Sequence, residues 1–143
     1  MRYAVRYQSR GGNTKAVAEA IAEALNAKAE PVGSPLGEPV DVLFVGGGVY
    51  AWTIDRALVE FLTSLEPDIV KSVAVFSTGG MMSGVGKIAS IAKARGIAVN
   101  KTTMPVRMGF RNYAGSKGSV TLSEKQLRMV DAFVSNITEN GSV

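Results

Sequence analysis

Residues 40–47 read VDVLFVGG. The run is almost wholly apolar and does not alternate with polar residues, which is the composition of a strand covered by helices on both faces. Outward from it, the chain alternates such runs with helical spacing. RYAVRY (2–7) reads as a first strand. From Thr14 to Leu25, the residues Val17, Ala20, Ile21, Ala24 and Leu25 form one helical stripe. AKAEPV (27–32) reads as an edge strand, because Pro31 cannot donate to a ladder. SPLGEPV (34–40) is too broken by proline and glycine to hold a long helix. Asp55–Leu65 has helical spacing, with Ala57, Leu58, Phe61, Leu62 and Leu65 inward and Asp55 or Thr53 as its cap.

KSVAVFSTGG (71–80) is a further strand ending in glycines. Residues 85–95 form a helix stopped by Gly96. NKTTMPVRM (100–108) is the last strand, and Pro105 assigns it to an edge. Ser123 opens a final helix, with Gln126 completing a capping box and Leu127, Val130, Val134 and Ile137 inward. This alternation predicts an α/β fold: a doubly wound parallel sheet of five strands with helices on both faces. It is expected to form one domain over residues 1–138, with 139–143 frayed.

Composition narrows the chemistry. With 46% apolar residues in 143, the chain can bury a real core. It has no cysteine, which excludes disulfides, thiolate nucleophiles and iron–sulfur ligation. It has no histidine, the commonest general base at neutral pH and the commonest metal ligand. Ser-His-Asp hydrolysis and ordinary zinc sites are therefore excluded, and hard chemistry would have to come from a bound cofactor. The net charge is +4, without any run of about five Lys or Arg, so nucleic acid is not the expected partner. No stretch of about eighteen apolar residues is present, so no membrane span is expected. Positive charges at positions 2, 6 and 10 interrupt the start of the chain, so a cytoplasmic location is expected.

Ligands of doubly wound sheets sit beyond the carboxyl ends of the strands. The first such loop contains Ser9, Arg10, Gly11, Gly12, Asn13 and Thr14 ahead of a helix. Paired glycines let backbone N–H groups approach an anion, and the helix N-terminus adds positive potential. The residues read equally as a tight capped turn. The next loop, GGGVYAWTID, places Gly47, Gly48, Tyr50, Ala51 and Trp52 at the end of a strand. A planar ring that stacks on a flat heterocycle accounts for the chain's one tryptophan there. The third loop, STGGMMSG, offers Ser77, Thr78, Gly79 and Gly80, small residues whose backbone can lie against a ring edge, with Met81 and Met82 as soft apolar fillers. A phosphate cradle beside an aromatic, without a Gly-x-Gly-x-x-Gly dinucleotide turn, points to flavin mononucleotide (FMN) ahead of NAD or FAD.

On these residues the chain resembles the flavodoxins and flavodoxin-like FMN proteins. Their phosphate loop, Thr/Ser-x-Thr/Ser-Gly-x-Thr, is matched at Ser9, Gly12, Asn13 and Thr14, with Gly11 standing where a hydroxyl is usual. The resemblance implies strand order 2-1-3-4-5 in a short-chain form, with Tyr50–Trp52 on one ring face and Ser77–Met81 on the other. It implies a carrier that passes electrons between redox partner proteins, with no catalytic residue and no metal. The alternatives are an FMN-dependent NAD(P)H or quinone reductase, using the basic loop 109–119 with Phe110 or Tyr113, and a non-redox module that has lost flavin. Unlike the usually acidic family, this chain is basic. Arg10, Arg56, Arg107, Arg111 and Lys117 are expected near the flavin end, a positive face that suits an acidic partner. Arg6, in a strand expected to be central, needs a partner such as Glu30 or Glu38, or must reach past the end of its strand.

Overall fold

The computed structural model describes residues 1–80, 83–108 and 120–140. The chain runs through β1 (Tyr3–Gln8), α1 (Asn13–Leu25), β2 (Ala29–Pro31), β3 (Val40–Tyr50), β4 (Thr53–Ile54) and α2 (Arg56–Ser64). It continues through β5 (Val70–Gly79), α3 (Val85–Ala94), β6 (Ala98–Val99), β7 (Met104–Arg107) and α4 (Glu124–Asn140). The sheet order is β2-β1-β3-β5-β6. These neighbours all pair in parallel, and β7 pairs with β5 further along the same edge. With β6 and β7 taken as one interrupted edge strand, this is the expected 2-1-3-4-5 order.

Successive residues of the central strands point to opposite faces, and each face has its own core. Val42 and Phe44 of β3, with Ala74 and Phe76 of β5, pack against Val17 and Ile21 of α1 and Phe133, Val134 and Ile137 of α4. Leu43, Val45, Val73 and Val75 pack on the other face against Leu58 and Leu62 of α2 and Ile88 and Ala92 of α3. The uniform apolar run at 40–47 therefore reflects two covered faces. The ring of Phe44 meets Phe133 edge-on at 5.7 Å, fastening α4 to the middle of the sheet.

Several expectations change at this level. Ala57 is exposed instead of inward, and Asp55 rather than Thr53 caps α2, its carboxylate accepting from Ala57 N–H at 2.8 Å. Leu127, expected inward, is 44% exposed, and Phe133 stands in the buried stripe of α4 with Val130, Val134 and Ile137. The capping box is present: Gln126 N–H donates to Ser123 Oγ and Ser123 N–H to Gln126 Oε1. Of the strand read at 100–108 only Met104–Arg107 pairs as a strand, and a separate short piece, Ala98–Val99, precedes it outside that range. Asn100 N–H still donates to Val73 O of β5 at 2.8 Å, but Asn100 Oδ1 accepts from Thr102 N–H at 2.9 Å, and this local turn separates β6 from β7. Pro31 and Pro105 both lie on outermost strands, as expected.

Arg6 is 5% exposed. Its Nη2 lies 3.2 Å from Glu30 Oε2, on the strand beside it. It also donates to the carbonyls of Ser34, at 3.0 Å, and Pro35, at 2.9 Å. Glu38 pairs instead with Arg2. One guanidinium thus satisfies the irregular segment between β2 and β3, where a charge-assisted bond to a part-buried carbonyl does what a ladder would do elsewhere.

Candidate functional site

The carboxyl ends of β1, β3 and β5 lie side by side, with Gln8 opposite Gly47 and Gly47 opposite Ser77. The loop after β1 enters α1 through Gly12, whose φ of 99° suits glycine and few other residues. Gly12 provides no side-chain cap. The first N–H groups of a helix lack intrahelical acceptors, so this end of α1 presents backbone donors and a positive dipole. Ser9 Oγ accepts from Gly12 N–H at 3.1 Å and so fixes the turn, Gly11 included, from within. Thr14 is fully buried, and its Oγ1 lies 2.6 Å from Thr78 Oγ1, which ties the first loop to the end of β5.

Two polar atoms at this place find no partner among the described residues: Gln8 Oε1 and Asn13 Oδ1, both buried. The oxygen and nitrogen of a side-chain amide exchange places by a flip of the group. In one orientation these amides donate to an anion, and in the other they accept from a ligand hydroxyl. A phosphate ester on a hydroxyl-bearing chain supplies both kinds of partner, and so FMN fits the donor set. Gln8 was missed by sequence reading. Its signal was an amide at the last position of a strand whose end was expected to face a ligand.

The end of β3 is arranged less simply. A Cβ on Gly47 would run into the Leu58 side chain of α2, so that glycine serves helix packing. Tyr50 lies back across Gly48, where a Cβ would come within 2.7 Å of its hydroxyl. The hydroxyl accepts from Arg10 N–H at 3.1 Å. The Arg10 guanidinium covers the Tyr50 ring at 4.0 Å from its centroid and pairs with Asp55 Oδ2 at 2.8 Å. Burial raises the pKa of the Tyr50 hydroxyl, with Asp55 adding in the same direction and Arg10 opposing. Asp55 is held below the ordinary carboxylate range, first by Ala57 N–H at the start of α2 and then by Arg10.

Ala51 and Trp52 form the turn between β3 and β4, with φ of 48° and 73°. A two-residue hairpin of this hand normally takes glycine or asparagine. Two consecutive residues with a Cβ in the left-handed region cost roughly 1–2 kcal/mol each. That strain presents the Trp52 indole to solvent at 78% exposure. At the end of β5, Ser77 Oγ accepts from Gly84 N–H at 3.2 Å and steadies the start of α3. Gly79, Gly80 and Arg107 line a cleft of about 220 Å³ there, and Arg107 Nε donates to Gly80 O at 3.1 Å. Met81, Met82 and the basic loop 109–119, with Phe110, Arg111, Tyr113 and Lys117, lie outside the described residues.

Hydrogen bonds therefore join Ser9, Arg10, Gly12, Thr14, Tyr50 and Thr78 into one constellation, with Asn13 beside it. They leave Trp52 free. Among the described residues no cluster of carboxylates could hold a metal ion, and no helix is long and apolar enough to cross a membrane.

Comparison with solved structures agrees with this architecture. The chain is similar to oxidised flavodoxin 2 from Bacillus cereus, with a TM-score of 0.74 at 16% identity over 98% of this chain and 99% of that one. It is similar to two-electron reduced flavodoxin from Megasphaera elsdenii, with a TM-score of 0.62 at 20% identity over 93% and 98%. An NADH:FMN oxidoreductase in its apo form matches with a TM-score of 0.56 at 14% identity over 98% and 90%. No curated protein matches the chain. A family model described as the flavodoxin domain matches residues 4–111, most of the sheet and all three loops, and the chain therefore belongs to the flavodoxin domain family.

Proposed function

We propose that the chain binds FMN and passes electrons between redox partner proteins. The observation that carries this reading is the loop into α1, where backbone donors without a side-chain cap stand beside the buried, unpartnered Asn13 Oδ1, with Gln8 Oε1 likewise unpartnered at the end of β1. FMN, when bound, supplies one- and two-electron chemistry. The chain's own residues bind and orient it. Asn13, Thr14 and the backbone of residues 9–14 take the phosphate. The Gln8 amide would be available to hydrogen-bond a ligand hydroxyl. Trp52 covers a ring face, and Gly79 and Gly80 leave room at a ring edge. Histidine and cysteine are absent from the chain, so it lacks the usual proton-moving side chains, in keeping with a carrier. Arg56, Lys87 and Arg107 border the site and suit an acidic partner surface.

The test is a titration of the flavin-free full chain with FMN and with riboflavin. Phosphate held by two or three charge-assisted bonds should make FMN bind more tightly by about tenfold or more. Equal affinity for the two ligands would remove the phosphate site and the reading with it. Turnover of NAD(P)H with a quinone by the FMN-loaded chain alone would instead identify a reductase.

A further inference from the structure

Tyr50 stands in an unexpected relation to the phosphate loop. Its hydroxyl takes a hydrogen bond from Arg10 N–H, one of the backbone donors of residues 9–14, and lies close enough to Thr14 to interact with that side chain too. The hydroxyl end of its ring lies over Gly48, and one ring face is covered by the Arg10 guanidinium, itself anchored on Asp55. That face is thus closed to stacking by a flat heterocycle. The strained turn that follows frees Trp52 for that task and leaves Tyr50 folded inward.

We propose that the Tyr50 hydroxyl is an internal competitor for the phosphate cradle, held in place by Arg10, and that a phosphate-bearing ligand must displace it. The inference rests on the phosphate-binding reading of residues 9–14. Displacement breaks one hydrogen bond and swings the ring off Gly48 and away from Arg10, while Asp55 keeps the guanidinium at the mouth of the loop. The apparent affinity for phosphate is then the intrinsic affinity reduced by the fraction of molecules whose ring is out. Such a device discriminates. Inorganic phosphate must displace the ring with its own binding energy alone, whereas a ligand that also offers a ring to Trp52 recovers part of that cost elsewhere.

The experiment is calorimetric titration of the flavin-free full chain with inorganic phosphate, FMN and riboflavin, for the wild type, Tyr50→Phe and Gly48→Ala. Tyr50→Phe keeps the ring but removes the acceptor, so phosphate and FMN should bind about three- to tenfold more tightly and riboflavin unchanged. Gly48→Ala drives the ring out by contact with its far end, leaving the hydroxyl chemistry intact. It should tighten inorganic phosphate binding in the same way. Should Gly48→Ala fail to fold, Tyr50→Phe decides alone. Unchanged or weaker phosphate binding by Tyr50→Phe, in a protein that still prefers FMN to riboflavin, overturns the competitor and leaves the cradle standing. If neither the wild type nor the variants distinguish FMN from riboflavin or bind phosphate, the cradle reading fails and the competitor falls with it.

Discussion

Thr14 carries two loads: it opens α1, and it ties the first loop to the end of β5 through Thr78. Thr14→Val leaves the Thr78 hydroxyl buried without its partner, and it should destabilise the fold by about 1–3 kcal/mol. Thr14→Val/Thr78→Val should cost less than the sum of the two single changes, a coupling that denaturant unfolding of all four proteins measures directly. Tyr50 makes a second prediction. Its raised pKa means that the folded state favours the neutral hydroxyl, so this stabilisation is complete below the ordinary tyrosine value of 10.0 and is lost as pH rises through the higher folded value. The tyrosinate absorbance titration should therefore lose a component above the ordinary tyrosine value in Tyr50→Phe. Residue types in the loops were legible: glycines, hydroxyls and one tryptophan after strands mark a candidate binding site. Side-chain direction was not. Nothing in VYAW says that Tyr50 folds back over Gly48 while Trp52 points out, because that choice is made by an arginine forty residues earlier. Arg6 shows the same limit: the need for a partner was plain, but the choice of Glu30 over Glu38 depends on the register of β2.

Among the elements, α2 offers the clearest pH test. Asp55 caps it and pairs with Arg10, and both keep its pKa low. A depressed folded pKa gives stability that is present above the ordinary value of 3.8 and is lost as pH falls through the lower folded value. Asn also caps helices well, so Asp55→Asn should retain α2 while removing the charge. At neutral pH the variant should be less stable by no more than about 1 kcal/mol, because the pair is near solvent. The gap should close in acid; thermal melts across pH follow it, and a gap that persists in acid would show that packing of the asparagine is responsible. Element existence was readable wherever pattern and cap coincided, as at Ser123–Gln126. Failures occurred where a side chain redirected the backbone. Asn100 takes the Thr102 N–H and splits the last strand, although every residue from 100 to 108 tolerates extended geometry. In α4 the three- and four-residue spacing fits Leu127 and Phe133 alike, and only the position of Phe44 decides which is covered.

The molecule as a whole was the most legible level, since alternation of strand and helix with both-face apolar strands admits few topologies. Its charge distribution was less so. Composition suggests a strongly positive ligand end, yet Arg10 is matched by Asp55 and Arg56 by Glu60. Among the described residues near the site, Lys87 and Arg107 are held by neutral oxygens. A charge about 10 Å away at an effective dielectric near 20 contributes about 1.7 kcal/mol before screening, on the order of tens of millivolts in a one-electron potential. Arg107→Gln should therefore make the midpoint potential of bound FMN more negative by up to that amount, with a smaller effect in high salt, and Arg56→Gln should do less. Spectroelectrochemical titrations at two ionic strengths would show it, and equal shifts for the two variants would remove the assignment. The two ends of the sheet have a different consequence. One outer strand is three residues long and ends in proline; the other is cut in two and carries proline in its second piece. Neither offers the long, continuous row of donors and acceptors on which another chain could lay a strand. The chain is thereby guarded against fibre-like association through its own backbone, and contacts with other molecules are left to loops and side chains, which can let go.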